Sequence, residues 1–557
     1  MNIRTTTSVQ GSKTYHYVQL VQSVRDEKTG KPKTIVLYNF GKPEDVDVDA
    51  VRKLITSLST LLPNGELVLG PSVGSALGEE SLAFLEAREF GGIWLLDALW
   101  KRLGMNKAIE GLLDDRSYRT PVERLMFAMV SSRILAPGSK LSIEHWVEQI
   151  CYIPDLPYVD VHQLYRAMDL LVDSSEQLQH AIFQEVSKNM DLDVDLLFLD
   201  TTNTYFEIDH EDLGEEGFRK RGRSKDNHPE LPLISIAFAV TRGGIPVRCW
   251  VFPGNTSDQN IVEEVKRDLG TWNLGNIIMV EDAGFNSTDN RRILRRYAGQ
   301  YIIGEKLRTG SSGVAVEALH RKGRYKKLEN GLSIKDVITD EGTASQRRYI
   351  VVRNPESAAR DKKVRDDIVA VTQQKLDELS QLSGEAHTKQ ACTLRSHSAY
   401  GRYIRQDEEG TLFLNTDKIA SEALLDGKFL ISTSDMTLPA EDVVAGYKQL
   451  SDVERVFRDM KHLLDLRPVY HRLEDRIRAH VLLCWLAMVL IRYAENESGH
   501  TWHKIIGMID SIRLGKIGTK AGTFWYTTAL NDESRALFKG LSVKEPPKLW
   551  AIAPDER

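Results

Sequence analysis

The pattern of apolar and polar positions divides the chain into segments, and the first of these is typical of β-strands. TYHYVQLVQSV (14–24) and KTIVLYNF (33–40) are rich in β-branched and aromatic residues. The turn-forming stretch RDEKTGK (25–31) separates them. We therefore expect a β-hairpin in residues 1–45, followed by a short helix at 48–62.

Apolar residues then recur with helical spacing from about residue 80 onwards, as in HQLYRAMDLLV (162–172). In TPVERLMFAMVSSRIL, Thr120 is placed to cap a helix and Glu123 to close a capping box. These patterns predict an all-α domain in residues 46–190. DNA-binding domains are often small helical bundles, as are many other domains, so we expect this domain to bind the DNA ends, although the sequence identifies no recognition helix.

After residue 192 the period changes from helical to strand-like. The segment 191–306 contains, in order, DVDLLFLDTTNTYFEI, LPLISIAFAVT, IPVRCWVFPG, SDQNIVEEVKRDLG, NIIMVEDAGF, STDNRRILRRYA and YIIGEK. Their patterns predict the order β-β-β-α-β-α-β. Three antiparallel strands followed by alternating α and β units predict a mixed sheet with flanking helices.

The segment 307–440 interrupts this order. It combines Gly/Ser-rich turns, one long charged helix and the strand-like stretches RRYIVVRN, GTLFLNT and GKFLISTS, so it predicts an inserted α+β subdomain. Residues 441–497 return to helical periods and include an apolar helix at 475–496. The remaining residues, 498–557, predict a helical tail.

One helical stretch, YKQLSDVERVFRDMK (447–461), has three faces instead of two. Apolar residues form one face and charged residues a second. A third stripe lies between them and consists of Tyr447, Ser451, Glu454, Arg458 and Lys461. A charged stripe normally faces solvent. The alternative is that Glu454 faces a site beside the core.

Composition gives the broad class of the protein. Of 557 residues, 41% are hydrophobic and 27% are charged, which is typical of soluble multidomain proteins. The four cysteines lack the spacing of a zinc site or a disulfide framework, which fits a reducing cytoplasm. The longest apolar run, 481–491, is too short to span a bilayer, so we expect no membrane association.

The net charge of −6 argues by itself against nucleic-acid binding. The charge is uneven, however. FRKRGRSK (218–225) has five basic residues and no acidic one, and the segment 291–327 has eleven Lys and Arg against two Glu. Such runs either bind phosphates or are solvated loops.

Two aspartates end apolar strand-like runs: Asp200 ends LLFLD and Asp282 ends IIMVED. Aspartate at such a position is commonly a turn or cap residue. If the first and fourth strands are neighbours, however, the two carboxylates lie close together and repel each other unless a cation separates them. Carboxylates without Cys or His suit Mg²⁺ or Mn²⁺, and Glu454 would supply a third ligand. Because side chains alternate along a strand, only one of Glu281 and Asp282 can face this site.

These residues resemble the DDE transposases of bacterial insertion sequences, in particular the IS-four type. That type carries the signature Tyr, two residues, Arg, three residues, Glu, six residues, Lys. Here the corresponding residues are Tyr447, Leu450, Glu454 and Lys461, so three of four match. LDTTNTYFE, RGRSKDNHPELPLISIAFAVTRGGIPVRCWVFPGNTSD and VEDAGFNS also resemble the family. The resemblance covers residues 192–497 and implies an RNase H-like catalytic fold that is interrupted before the last acid.

The chain also departs from the family pattern. Leu450 stands where the signature has Arg, and Arg458 on the same stripe is a candidate substitute. Ala283 stands where relatives often have Arg. Residues 307–440 contain no Trp, so no residue can be assigned the base-stabilising role that an aromatic residue has in some relatives. None of these departures affects Asp200, Asp282 and Glu454, the three acids that the resemblance implies. The resemblance and the position two residues before Gly284 both favour Asp282 over Glu281.

The resemblance implies a transposase that cleaves DNA at the ends of an insertion sequence and joins those ends to target DNA. Two metal ions, Mg²⁺ or Mn²⁺, would be held by the three acids. DNA phosphates would be held by two groups of residues, Tyr447, Arg458 and Lys461 in the stripe and Arg321, Lys322 and Arg324 in the basic run. The partners implied are double-stranded terminal repeats, target DNA and a second copy of the chain on paired ends.

The resemblance further implies a location in the bacterial cytoplasm, in association with the nucleoid. Two alternatives remain open at this stage. The chain could be a catalytically retired DNA-binding regulator, or an RNase H-fold nuclease that cleaves without joining. Intact acids argue against the first alternative, whereas the sequence does not separate cleavage from joining.

Overall fold

The structure is a computed structural model. It describes residues 2–10, 13–25, 32–41, 82–113, 120–190, 194–214, 217–307, 313–343, 346–467, 469–519 and 522–554. The helix predicted at 48–62 lies outside these residues.

The helices in chain order are α1 Gly91–Arg102, α2 Met105–Leu113, α3 Val122–Leu135, α4 Lys140–His145, α5 Val161–Asp173, α6 Ser175–Met190, α7 Asp258–Thr271, α8 Thr288–Leu294, α9 Gly313–His320, α10 Pro355–Ser380, α11 Gly384–Ser396, α12 Thr416–Ala423, α13 Ala440–Lys448, α14 Leu450–His462, α15 Glu474–Ser498, α16 Trp502–Ile509 and α17 Asp532–Gly540. The strands are β1 Asn2–Gln10, β2 Lys13–Arg25, β3 Pro32–Gly41, β4 Leu82–Glu89, β5 Leu196–Tyr205, β6 Leu233–Val240, β7 Pro246–Pro253, β8 Ile278–Glu281, β9 Gln300–Gly304, β10 Lys326–Lys327, β11 Ser333–Thr339, β12 Arg347–Arg353, β13 Ile404–Gln406, β14 Leu412–Leu414, β15 Lys428–Thr433, β16 Arg513–Thr519, β17 Gly522–Thr527 and β18 Leu549–Pro554. The chain divides into two compact units, one of Met1–Trp94, Gln149–Tyr152 and Ile506–Arg557, the other of Leu95–Glu148 and Ile153–Ile505.

The first unit contains two antiparallel sheets. Strands β2 and β3 form the predicted hairpin, and β1 adds a third strand to it. The second sheet has the order β18-β17-β16-β4. The prediction of a helical tail for 498–557 is therefore wrong, since β16, β17 and β18 all belong to this sheet. These strands are stabilised by pairing with β4, more than 400 residues earlier in the chain, which a local pattern does not reveal.

The second unit is built on a nine-stranded sheet with the order β10-β11-β12-β15-β9-β8-β5-β6-β7. Strands β5, β6 and β7 are antiparallel, and β8 and β9 follow in parallel with β5. The predicted order of elements is thus confirmed. The strands that lead to Asp200 and Asp282, β5 and β8, are the first and fourth strands of the segment 191–306, and they are direct neighbours. The condition for placing these two carboxylates close together is therefore met.

Four strands of the segment 307–440, namely β10, β11, β12 and β15, join the central sheet, whereas β13 and β14 form a separate two-stranded sheet. Strand β15 pairs with β9, and β12, β11 and β10 continue outwards from it, so that they extend the central sheet. The physical reason is that β9 would otherwise be an edge strand with unpaired backbone groups. The segment has two small cores of its own. One lies around α10 to α12 and the hairpin β13–β14 and is formed by Leu376, Leu379, Leu394 and Leu412. The other lies where α9 packs on the added strands and includes Leu319, Tyr349 and Leu430.

Helices cover both faces of the central sheet. On one face, α7 and α8 pack on a core that includes Leu197 and Leu199 of β5. On the other face, Phe457 of α14 packs against Phe238 of β6, with ring centroids 5.3 Å apart. This alternation along β5 and β6 fixes which side chains reach which layer.

The apolar helix α15 is buried in this unit, as predicted. It is long and apolar enough to cross a membrane by length and composition, but nearly all of that stretch is buried inside the protein. Helices α3 and α5 pack against it. The helices of residues 95–148 and 153–190 therefore belong to the same compact unit as the sheet, and do not form the separate all-α domain that was predicted for 46–190.

Candidate active site

Asp200 lies on β5 on the face that α14 covers. In the antiparallel β5–β6 ladder Asp200 is directly opposite Phe238, so the two side chains share a face. Phe238 in turn packs on Phe457 of α14. Since Glu454 precedes Phe457 by one helical turn, the fold puts the predicted third acid on the same side of the sheet as the first.

Asp282 follows the last residue of β8 and begins a short turn of 3₁₀-helix at Ala283–Phe285. Its neighbour Glu281 points to the opposite face of the sheet, where the side chain is fully buried beside the core on which α7 and α8 pack. Asp282 itself is exposed. In the parallel β5–β8 ladder Leu199 is paired with Glu281, so Asp200 and Asp282 follow at the same level on neighbouring strands.

Tyr447 connects the second and third acids. Its hydroxyl donates a long hydrogen bond of 3.5 Å to Oδ1 of Asp282. Burial raises the pKa of Tyr447, and the negative charges of Asp282 and Glu454 raise it further. One hydroxyl therefore lies within the electrostatic reach of both carboxylates. Gly304 makes room for it, because a Cβ at this position would lie 2.2 Å from the Tyr447 hydroxyl oxygen.

The stripe of residues 447–461 is divided between two helices. Helix α13 ends at Lys448 and α14 begins at Leu450, with Gln449 as the junction. Gln449 keeps a right-handed helical conformation (φ −68°, ψ −8°), so the stripe continues approximately in order across the junction. Leu450, which replaces the signature Arg, is buried, whereas Glu454 and Arg458 are exposed.

A lysine that the sequence argument did not assign to the site lies against Asp200. The Nζ atom of Lys225 is 3.3 Å from Oδ1 of Asp200 and also donates a hydrogen bond to the carbonyl of Thr201. Burial raises the pKa of Asp200, and the Lys225 ammonium opposes this rise. Within the part of the chain that the structure describes, no group of three or more Asp, Glu, His or Cys side chains is arranged to hold a metal ion. In the described residues, Asp200, Asp282 and Glu454 therefore do not form a compact cluster.

Lys461 is also paired with an acid. Its Nζ atom lies 3.0 Å from Oδ1 of Asp226, and Nη1 of Arg467 lies 3.2 Å from Oδ2 of the same carboxylate. Neither Asp226 nor Arg467 was predicted. The only sequence signal was the basic run FRKRGRSK, which ends at Lys225, one residue before Asp226.

The second predicted basic group lies at the edge of the central sheet. Arg321, Lys322 and Arg324 are exposed between α9 and the edge strand β10. The Arg321 guanidinium donates a hydrogen bond to the carbonyl of Ile338, and Lys326 pairs with Glu441 of α13. Their role in DNA binding remains a prediction.

Two parts of the chain match transposase families. Residues 215–490, about half of the chain, match the family described as "Transposase DDE domain". Residues 3–64 match "IS1634 family transposase, N-terminal domain". The chain belongs to the DDE transposases of insertion sequences. The transposase is therefore an enzyme that cleaves and transfers DNA strands with the help of divalent metal ions. The resemblance seen in the sequence is confirmed at this level.

Two further comparisons add little to this assignment. No curated protein matches the transposase. Among solved structures it is similar to a cryo-EM structure of the piggyBac transposase synaptic complex with hairpin DNA, with a TM-score of 0.32 and 10% identity over 81% of this chain and 78% of that chain. The assignment rests on the two family matches.

Proposed function

We propose that the transposase is of the IS-four type and that Asp200, Asp282 and Glu454 hold its metal ions in an RNase H-like core. The observation that carries this proposal is the position of the Tyr447 hydroxyl, 3.5 Å from Asp282 and close enough to Glu454 for that charge to raise its pKa. Asp200 lies on the adjacent strand and on the same face.

The chemistry of the donor set fits two Mg²⁺ or Mn²⁺ ions. All three groups are carboxylates, the ligands that hard divalent cations prefer. The Lys225 ammonium beside Asp200 indicates that this carboxylate is stabilised by a cation. Bound ions would activate water or a DNA 3′-hydroxyl and would stabilise the leaving oxygen of the scissile phosphate.

The remaining residues of the stripe would position DNA. Tyr447, Arg458 and Lys461 belong to the same stripe as Glu454, and we propose that they meet phosphates of the cleaved strand. Arg321, Lys322 and Arg324 would extend this positive surface at the sheet edge. Contacts of this kind orient the duplex and do not read its sequence. We propose that terminal repeats and target DNA are the substrates, and that two copies act on paired ends at the bacterial nucleoid.

A test of this function uses purified protein, DNA carrying paired element ends, a target plasmid and Mg²⁺. We expect joined products from the wild-type protein. Glu454→Gln keeps the size of the side chain and removes its charge, so it should abolish cleavage and joining while leaving binding of end DNA nearly unchanged. Binding is read from mobility shifts in the absence of metal.

The same test separates the alternatives. Cleaved ends without joined products would identify a nuclease. DNA binding without metal-dependent cleavage by the wild-type protein would identify a retired, DNA-binding relative. If Glu454→Gln cleaved as well as the wild type, the assignment of this acid would be wrong.

A further inference from the structure

The loop between β5 and β6 enters the candidate site with two consecutive charged residues. Lys225 presents a cation to Asp200, with 3.3 Å between Nζ and Oδ1. Asp226 presents an anion to Lys461 and Arg467 at 3.0 and 3.2 Å. Each charge is thus opposite in sign to the group that it meets.

This arrangement has the same charge pattern as the proposed bound state. A cation lies at the carboxylate that would hold metal, and an anion lies at the lysine that would hold a DNA phosphate. A carboxylate and a phosphodiester both present oxygens that accept hydrogen bonds from Lys and Arg. We propose that Lys461 and Arg467 together form a clamp for one DNA backbone phosphate, and that Asp226 fills this clamp until DNA displaces it.

Arg467 is suited to this role by its position. Its guanidinium lies over the ring of Tyr205, 4.7 Å from the ring centroid, which holds the planar group in place at the end of β5. The side chain remains 24% exposed, and that of Asp226 remains 21% exposed. The Lys461 side chain is 13% exposed. Because Arg467 and Asp226 each keep part of their surface in solvent, a phosphate can reach the same donors and compete with the Asp226 carboxylate for them.

The loop itself is held by contacts that do not depend on Asp226. The backbone N–H of Lys225 donates to Oδ1 of Asn203 at 3.0 Å, and the backbone N–H of His228 donates to Oγ of Ser224 at 3.0 Å. The His228 ring also contacts Tyr205, with 4.6 Å between centroids. Removing the Asp226 charge should therefore free the clamp without unfolding the loop.

The test measures binding of a short fluorescent DNA duplex by anisotropy, in EDTA and at several salt concentrations. Asp226→Asn should increase affinity about 2- to 5-fold, because the competing anion is gone. Arg467→Gln should lower affinity. In the Asp226→Asn background, Arg467→Gln should also make the slope of log K against log salt shallower, by about the amount expected for the loss of one phosphate contact. The gain from Asp226→Asn should shrink when Arg467→Gln is present.

A matched control is Glu230→Gln, which removes one negative charge from the same loop. Glu230 pairs only with His228 among its ionic contacts in the described residues and is 63% exposed. Equal gains from Asp226→Asn and Glu230→Gln would show a general charge effect and would overturn the proposal. A loss of affinity in a correctly folded Asp226→Asn variant would also overturn the proposal. Thermal melting of both variants shows whether they are folded. If Asp226→Asn is misfolded, the affinity and salt slope of Arg467→Gln decide the question.

This inference rests on the proposed function for the identity of the ligand, but its test does not require catalysis. Binding is measured without metal, so a failure of cleavage would not change the expected result. Conversely, an unchanged affinity and salt slope in Arg467→Gln would contradict the proposed clamp. The proposal that the three acids hold metal ions would not be affected.

Discussion

Glu281 and Asp282 are neighbours in sequence, but they lie on opposite faces of the central sheet and have different environments. Glu281 is fully buried, and neither of its carboxylate oxygens has a hydrogen-bond partner among the described residues. Asp282 is exposed at the end of β8 and accepts a hydrogen bond from Tyr447. The alternation of a β-strand is sufficient to separate the two.

The difference shows how burial changes what a carboxylate can do. Burial raises the pKa of Glu281 to about 8, although the charge of Lys266 partly opposes this. Burial likewise lowers the pKa of Lys266 to about 8. At neutral pH Glu281 is therefore largely protonated. A protonated carboxyl group enclosed by a core cannot hold a metal ion, whereas Asp282 can reach solvent, DNA and ions.

The largest effect that we expect is the difference between two variants, Asp282→Asn and Glu281→Gln, in which each carboxylate is replaced by its amide. Asp282→Asn should reduce metal-dependent strand cleavage by about 10³-fold or more, since it removes a charge that stabilises the metal and, through it, the transition state. Glu281→Gln should leave cleavage within about 10-fold of wild type. The measurement is the single-turnover cleavage rate on end DNA. Comparable losses in both variants would show that the two faces of the sheet are not functionally distinct.

The second prediction concerns stability and pH. The pKa of Glu281 is higher in the folded protein than the ordinary value of 4.5, so between pH 4.5 and about 8 the folded state binds a proton that the unfolded state has released. Stability should therefore fall as the pH rises through this window. We expect the wild type to lose about 1–3 kcal/mol between pH 5 and 8 from this group.

Glu281→Gln cannot titrate and is the matched variant for this measurement. Its melting temperature, compared with that of the wild type at pH 5, 6.5 and 8, should show a smaller decline with pH. Asp282→Asn serves as the control on the exposed face. If the wild type and Glu281→Gln had parallel melting profiles, the buried carboxyl would not be the group that titrates.

The parts of the fold that the sequence predicts are those with a strong local pattern. Strands β5 and β8 are continuous apolar runs, and a parallel sheet buried on both sides favours such runs. Their pairing was only a condition of the carboxylate argument, and the structure shows that it is met. The pairing of β15 with β9 joins residues more than 120 positions apart and has no local signal. For the same reason the sequence did not predict that the inserted segment extends the sheet.

Tertiary contacts also change the roles of individual side chains. Glu123 was predicted to close a capping box, but helix α3 has no side-chain cap. Its carboxylate instead accepts hydrogen bonds of 2.6 Å from Trp100 and Arg124. In the candidate site, Asp200 and Asp282 were predicted from their positions at the ends of apolar strands, and Tyr447 and Glu454 from their spacing along a helix. Lys225, Asp226 and Arg467 were missed, because their contacts depend on where a loop folds and not on any spacing within it.

The smallest expected effect tests the hydroxyl that lies between the acids on the exposed face. Tyr447→Phe removes one hydrogen bond of 3.5 Å and keeps the ring, which stacks on Phe429 with centroids 6.1 Å apart. A bond this long contributes little, so cleavage should fall by no more than about 10-fold. Gly304→Ala should cost more than Tyr447→Phe, because the added methyl collides with the Tyr447 hydroxyl oxygen and would move the ring away from Asp282. In the double variant the contact with the oxygen is absent and a tight contact of 3.0 Å with the ring carbon Cζ remains, so the rate should recover most of the way to that of Tyr447→Phe. A double variant as slow as Gly304→Ala would show instead that β9 itself is distorted and that Tyr447 does not set the geometry of the acids.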